Sequence, residues 1–126
     1  VNQGYYLKFD VEMRRYIDHC SDMGLGLRYI GSMVSDIHRI LFKGGIFLYP
    51  NTRSNPQGKL RVLYECNPLA FLVEQAGGKA ITTQLDRIME VEVYDLHQTV
   101  TIAIGSPDMV DEMKSFVQKY SPPAGK

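Results

Sequence analysis

Residues 59–76 constrain this chain more than any other stretch. Leu60, Val62 and Tyr64 alternate with Lys59, Arg61 and Glu65. Successive side chains of a strand point to opposite faces, so the alternation predicts a strand over 59–65. Its two cations and one carboxylate then project from the same face. Asn67-Pro68 follows at once, and the run to Ala76 is almost wholly apolar, with Gly77 just beyond it. Proline pre-sets the first turn of a helix and glycine ends one. A helix apolar nearly all round is predicted to be central and enclosed.

The rest of the chain repeats this strand-then-helix order. Residues 2–8 and 21–26 read as loops. Asp10 is placed to cap a helix, and Phe9, Met13, Tyr16 and Ile17 fall at helical spacing, which predicts that helix over 10–19. Residues 27–30 read as a short strand. Ser32 is the expected cap of the next helix, whose apolar stripe is Met33, Val34, Ile37, Ile40 and Leu41, with Gly44-Gly45 as its stop. Residues 46–49 read as a buried strand ended by Pro50. The segment 50–58, rich in proline and asparagine, reads as a surface loop. Residues 79–82 and 101–105 add strands, while 83–100 show no clear period. Ser106-Pro107 open a last helix with Met109, Val110, Met113, Phe116, Val117 and Tyr120 on one face. Residues 121–126 read as a flexible tail. The pattern predicts one α/β layered domain over 1–120, built around a mixed sheet.

Composition excludes some partners. Lysine plus arginine equals aspartate plus glutamate, 14 against 14, so no polyanion such as a nucleic acid is expected as the main partner. Two cysteines, Cys20 and Cys66, do not make a disulfide scaffold and are expected as reduced thiols in a cytoplasmic protein. No stretch reaches the ~20 apolar residues of a membrane span, and no signal peptide is visible. The chain opens on Val1 rather than methionine, and is expected to be a piece of something longer.

Several residues suit phosphate chemistry. A straight strand from Lys59 to Glu65 would span about 20 Å. The two residues would then serve opposite ends of an extended ligand, or else stand on a solvated surface. Arg28, Tyr29, Gly31 and Ser32 lead into a helix N-terminus, where backbone N–H groups suit an anion, or form only a capped turn. Tyr5, Tyr29 and Tyr49 lie by expected loops as neutral hydroxyl donors or as rim packing. His38 and His97 lack metal-ligand spacing, and His19-Cys20 has no second pair to complete a zinc site. No nucleophile elbow, Walker loop or dinucleotide fingerprint occurs.

The segments RYIGSMVSDIHRILFKGGIFLYP (28–50) and GKLRVLYECNPLAFLVEQAGG (58–78) resemble the C-terminal half of class I fructose-1,6-bisphosphatase. Asn2-Gln3-Gly4-Tyr5, Leu96-His97-Gln98 and Gly105-Ser106-Pro107-Asp108 fit the same family in the same order. The resemblance covers almost the whole chain. It implies a three-layer α/β/α domain with a mixed, about five-stranded sheet. It also implies a cytoplasmic tetramer that hydrolyses the 1-phosphate of fructose 1,6-bisphosphate in gluconeogenesis, yielding fructose 6-phosphate.

By the same resemblance, Asn2, Tyr5, Tyr29 and Tyr49 would contact the 6-phosphate. Arg28 would reach the 6-phosphate of a neighbouring subunit. Lys59 would bind the sugar and its phosphate, and Gly31, Ser32 and Met33 would line the sugar site. Glu65 would ligate a metal near the 1-phosphate, with Arg61 close to that centre. The ions would be Mg²⁺, Mn²⁺ or Zn²⁺. Most of their ligands belong to the family's N-terminal half, whose Asp-Pro-Leu-Asp-Gly stretch is not in this sequence. One carboxylate is too few for several divalent ions, so the 126 residues alone are expected to be inactive. Two alternatives stand: a non-catalytic sugar-phosphate-binding or oligomerisation module, and a sedoheptulose-1,7-bisphosphatase.

Overall fold

A computed structural model of the chain describes residues 1–121. The residues 122–126 expected as tail lie outside the described part. Four α-helices, α1 (Val11–Asp22), α2 (Met33–Lys43), α3 (Asn67–Gln75) and α4 (Pro107–Tyr120), surround five short strands. The strands are β1 (Ile46–Tyr49), β2 (Leu60–Arg61), β3 (Lys79–Ile81), β4 (Thr99–Val100) and β5 (Ile102–Gly105).

The main sheet has the order β1-β5-β3, with Phe47 opposite Ile104 and Leu48 opposite Ala103. Alternation along each strand divides the core in two. Phe47, Ala80, Ile102 and Ile104 pack with Ile37 and Ile40 of α2 and Ala70 and Val73 of α3. Leu48 and Ala103 face the other way, onto Met13, Tyr16 and Ile17 of α1 and Met113 and Val117 of α4. The three-layer α/β/α order follows from this period-two division.

The strand count of five holds, but as three plus two. Thr101 interrupts the run from Thr99 to Gly105, so β4 pairs with β2 while β5 joins the main sheet. The parallel component of the expected mixed sheet is not found among the described residues, because every strand pairing there is antiparallel.

Other expectations are corrected. Residues 2–8 are not a loop, since Gln3–Lys8 form a 3₁₀ turn capped by the side chain of Asn2. Helix α1 runs on to Asp22, and neither Asp10 nor Ser32 makes the expected side-chain cap bond. The Asp10 carboxylate instead accepts a hydrogen bond from Asn51 Nδ2 at 2.8 Å. Residues 27–30 are not a strand, because no partner strand is present among the described residues and every residue from 21 to 30 is exposed. Helix α3 is not enclosed, since Phe71 and Leu72 are 52% and 53% exposed.

The largest correction falls on 59–65. Only Leu60 and Arg61 are strand, and Val62–Cys66 is a π-turn leading into α3. Val62 N–H makes a last inter-strand bond to the Gln98 carbonyl at 2.9 Å. Asn67 N–H then reaches back to the Val62 carbonyl, the i to i+5 bond that defines a π-turn. Val62 and Cys66 are both fully buried, so the apolar period changes from two to four within the motif. Helical spacing was therefore present in the sequence, masked by the charge alternation.

Candidate substrate-binding site

Asn2, Tyr5, Tyr49 and Lys59 line one small cleft, together with Thr52 and Asn55. Local structure explains the convergence. A 3₁₀ turn stacks residues three apart, which sets Asn2 and Tyr5 on one side, and buried Phe9 anchors the turn to the core. Tyr49 is the last residue of β1, and buried Pro50 ends the strand. The 50–58 loop is closed by reciprocal backbone bonds between Thr52 and Asn55 at 3.2 and 3.1 Å. Gly58 then turns at φ +81°, where a Cβ would lie 2.5 Å from the Val100 carbonyl oxygen. This tight turn delivers Lys59 to the cleft.

Tyr29 does not line this cleft but lies within electrostatic reach of its two tyrosines. Burial, then the nearby Asp36 and Tyr5, raises its phenol above the usual range. Burial likewise raises Tyr49, followed by Tyr29, Tyr5 and the carboxylate of Glu65. Each shift favours the neutral phenol, which can donate a hydrogen bond without adding negative charge. Lys59 supplies the cleft's cation. Neutral hydroxyls, an amide and one ammonium suit a phosphate monoester.

The remaining predicted residues divide into two groups. Gly31 and Ser32 are exposed at the start of α2, with Gly31 at φ +89°. Met33 packs its side chain against the α2–α3 core. Arg28 is exposed and lines a separate, larger cleft with Arg39 and Lys43. The segment 28–31 is held by a residue that pattern alone did not single out. Asp36 is fully buried, accepts the Ile30 N–H at 3.4 Å and pairs with Arg39 Nη2 at 3.1 Å. Arg39 also donates to the Arg28 carbonyl at 3.4 Å. One buried carboxylate among the polar residues Ser35, Asp36, His38 and Arg39 gives no periodic signal.

Glu65 and Arg61 sit at the π-turn. Glu65 Oε1 accepts the Arg61 backbone N–H at 2.9 Å. The chain bends at the π-turn between Lys59 and Glu65, so the two are not set apart by a straight strand. Their separation rests instead on Lys59 lining the tyrosine cleft while Glu65 folds back on Arg61. No cluster of three or more histidine, cysteine, aspartate or glutamate side chains occurs among the described residues. The residues present do not form a metal site by themselves; Glu65 offers one carboxylate.

The sequence of residues 1–118 matches the family model described as fructose-1-6-bisphosphatase, C-terminal domain. The chain belongs to the fructose-1,6-bisphosphatase family. Its fold is similar to a holo-form crystal structure of Leishmania major fructose-1,6-bisphosphatase, with a TM-score of 0.88 and 45% identity over 92% of this chain. A T-state structure of the Leishmania major enzyme gives 0.90 and 44% over 94%. In each case the match spans 37% of the relative's chain. The bisphosphatase domain described here thus corresponds to just over a third of those enzymes. Among the described residues, no helix is long and apolar enough to cross a membrane.

Proposed function

We propose that this chain is the sugar-phosphate-binding part of a fructose-1,6-bisphosphatase, releasing the 1-phosphate of fructose 1,6-bisphosphate to leave fructose 6-phosphate. The observation that carries the reading is the convergence of Asn2, Tyr5, Tyr49 and Lys59 on one cleft. These groups hold the unreactive 6-phosphate. Gly31, Ser32 and Met33 contact the sugar, and Arg28 reaches the 6-phosphate of a neighbouring subunit in a homotetramer. Arg61 and Glu65 belong to the reacting end. Phosphoryl transfer depends on positioning and charge neutralisation more than on covalent help from the protein. A domain devoted to gripping the far phosphate fits that demand.

Divalent metal, as Mg²⁺, Mn²⁺ or Zn²⁺, is proposed for the parent enzyme. Glu65 would give it one oxygen, and the other ligands come from outside this chain. Two free cysteines and a neutral charge balance support a reduced cytoplasmic setting and a small-molecule substrate rather than a nucleic acid.

Calorimetry with fructose 6-phosphate tests the binding, and phosphate release in Mg²⁺ tests the division of labour. The 126-residue chain is expected to bind without turnover. Tyr49→Phe and Lys59→Ala should each weaken binding about tenfold or more, the worth of one hydrogen bond to a charged group. A folded chain with no affinity for fructose 6-phosphate would refute the reading.

A further inference from the structure

We infer that Tyr64 and His97 are positioning residues that aim the Arg61 guanidinium, an inference that rests on placing Arg61 at the reacting end. Arg61 Nη1 donates to the His97 backbone carbonyl at 3.4 Å. The His97 ring is in turn tied to the π-turn, with Tyr64 Oη and His97 Nδ1 3.1 Å apart. The two rings meet edge-on, with centroids 6.1 Å apart and planes at 84°.

The loop that presents His97 is itself braced. His97 N–H donates to Asp95 Oδ1 at 2.7 Å, and Gln98 Nε2 donates to the Glu92 carbonyl at 3.1 Å. The next carbonyl along, that of Gln98, takes the Val62 N–H at 2.9 Å. Successive carbonyls of one loop thus hold the side chain of Arg61 and the first amide of the π-turn. The Tyr64–His97 contact closes the circle between loop and turn.

A guanidinium on a flexible stem loses entropy when it is held in one place. A fixed carbonyl acceptor meets part of that loss before substrate arrives, and leaves the other guanidinium donors free for an anion. Tyr64 and His97 do not line the tyrosine cleft, so their loss should spare binding of the 6-phosphate end.

The test uses the full-length enzyme that contains this chain. Tyr64→Phe and His97→Ala should each lower kcat about tenfold, with KM for fructose 1,6-bisphosphate changed less than about twofold. His97→Asn, which keeps an acceptor near the Nδ1 position, should recover part of the loss. In an Arg61→Ala background, Tyr64→Phe should cost nothing further, because there is no guanidinium left to aim. In the 126-residue chain, the ¹⁵N resonance of His97 Nδ1 should move on Tyr64→Phe. If Arg61→Ala lowers kcat but Tyr64→Phe and His97→Ala do not, the inference fails and the functional reading stands. If Arg61→Ala leaves kcat unchanged, Arg61 has no place at the reacting end, and the inference fails together with that one assignment of the functional reading.

Discussion

The carboxylate of Glu65 accepts the backbone N–H of Arg61 at 2.9 Å and so closes the turn that carries the chain from β2 into α3. This side chain therefore has a structural task besides the metal ligation proposed for it. The two tasks separate by substitution. Glu65→Gln keeps an acceptor oxygen and should change stability little. Glu65→Ala leaves the amide unpaired and should cost about 1–3 kcal/mol. Both should reduce turnover by the full-length enzyme. Thermal melts of the 126-residue chain, set beside the kinetics, check the split.

Gly58 makes the second tight turn of the site. Its φ of +81° disfavours any L side chain, and an added Cβ would lie 2.5 Å from the Val100 carbonyl oxygen, a backbone atom with little room to move. Gly58→Ala should destabilise the chain by about 1–3 kcal/mol. It should also weaken fructose 6-phosphate binding, since the next residue is Lys59. Denaturant melts and calorimetry on the same variant measure the two effects. Unchanged values for both would show that the turn can relax.

The sequence carried most of the layer architecture. Strand and helix periods placed α1–α4, β1, β3 and β5 within a few residues, because each buries one face against the sheet. It misread the places where two signals coincide. Lys59–Glu65 alternates like a strand, yet Val62 and Cys66 are also four apart, and burial of that second pair decided the outcome. Residues 27–30 have strand composition, but a strand needs a partner edge, which local pattern does not supply. Tyr5, Tyr49 and Lys59 stood out as candidates by residue type, but their meeting with Asn2 in one cleft was legible only through family resemblance. What joins them is a 3₁₀ turn, a strand end and a glycine turn far apart in the chain. The supports of the neighbouring segments, buried Asp36 under 28–31 and the His97 loop beside Arg61, leave no periodic trace at all.

Alkaline pH should expose the cost of burying Cys66. The thiol is fully buried, and desolvation, aided by the charge of Glu65, pushes it up to about 12. In the unfolded chain a thiol ionises near its ordinary value of about 8.5. Below that value both states hold the proton and stability is unaffected. Above it the unfolded state loses the proton first, so stability falls as pH rises through the window up to about 12. Melting temperatures at pH 8 and pH 10 should therefore differ more for the parent sequence than for Cys66→Ala. An equal slope in both would assign the alkaline loss to other groups.

The outer faces of α2 and α3 carry exposed apolar side chains. Phe42 is 78% exposed, and Val34, Leu41, Phe71 and Leu72 are exposed as well, with Leu63 of the π-turn. Exposed apolar patches of this kind mark surfaces that another part of a protein covers. The relatives' chains extend well beyond the matched 37%, which makes the remainder of a family-length chain the expected cover. The 126-residue chain should then bind a hydrophobic dye and self-associate as its concentration rises. Phe42→Asp and Phe71→Asp, both at surface positions, should suppress dye binding while shifting stability by no more than about 0.5 kcal/mol. An N-terminal part of a family member, supplied as a separate polypeptide, should also suppress it, and should not do so for the doubly substituted chain. Light scattering and dye fluorescence follow both effects. A monomeric, dye-silent chain at high concentration would show that these faces need no cover.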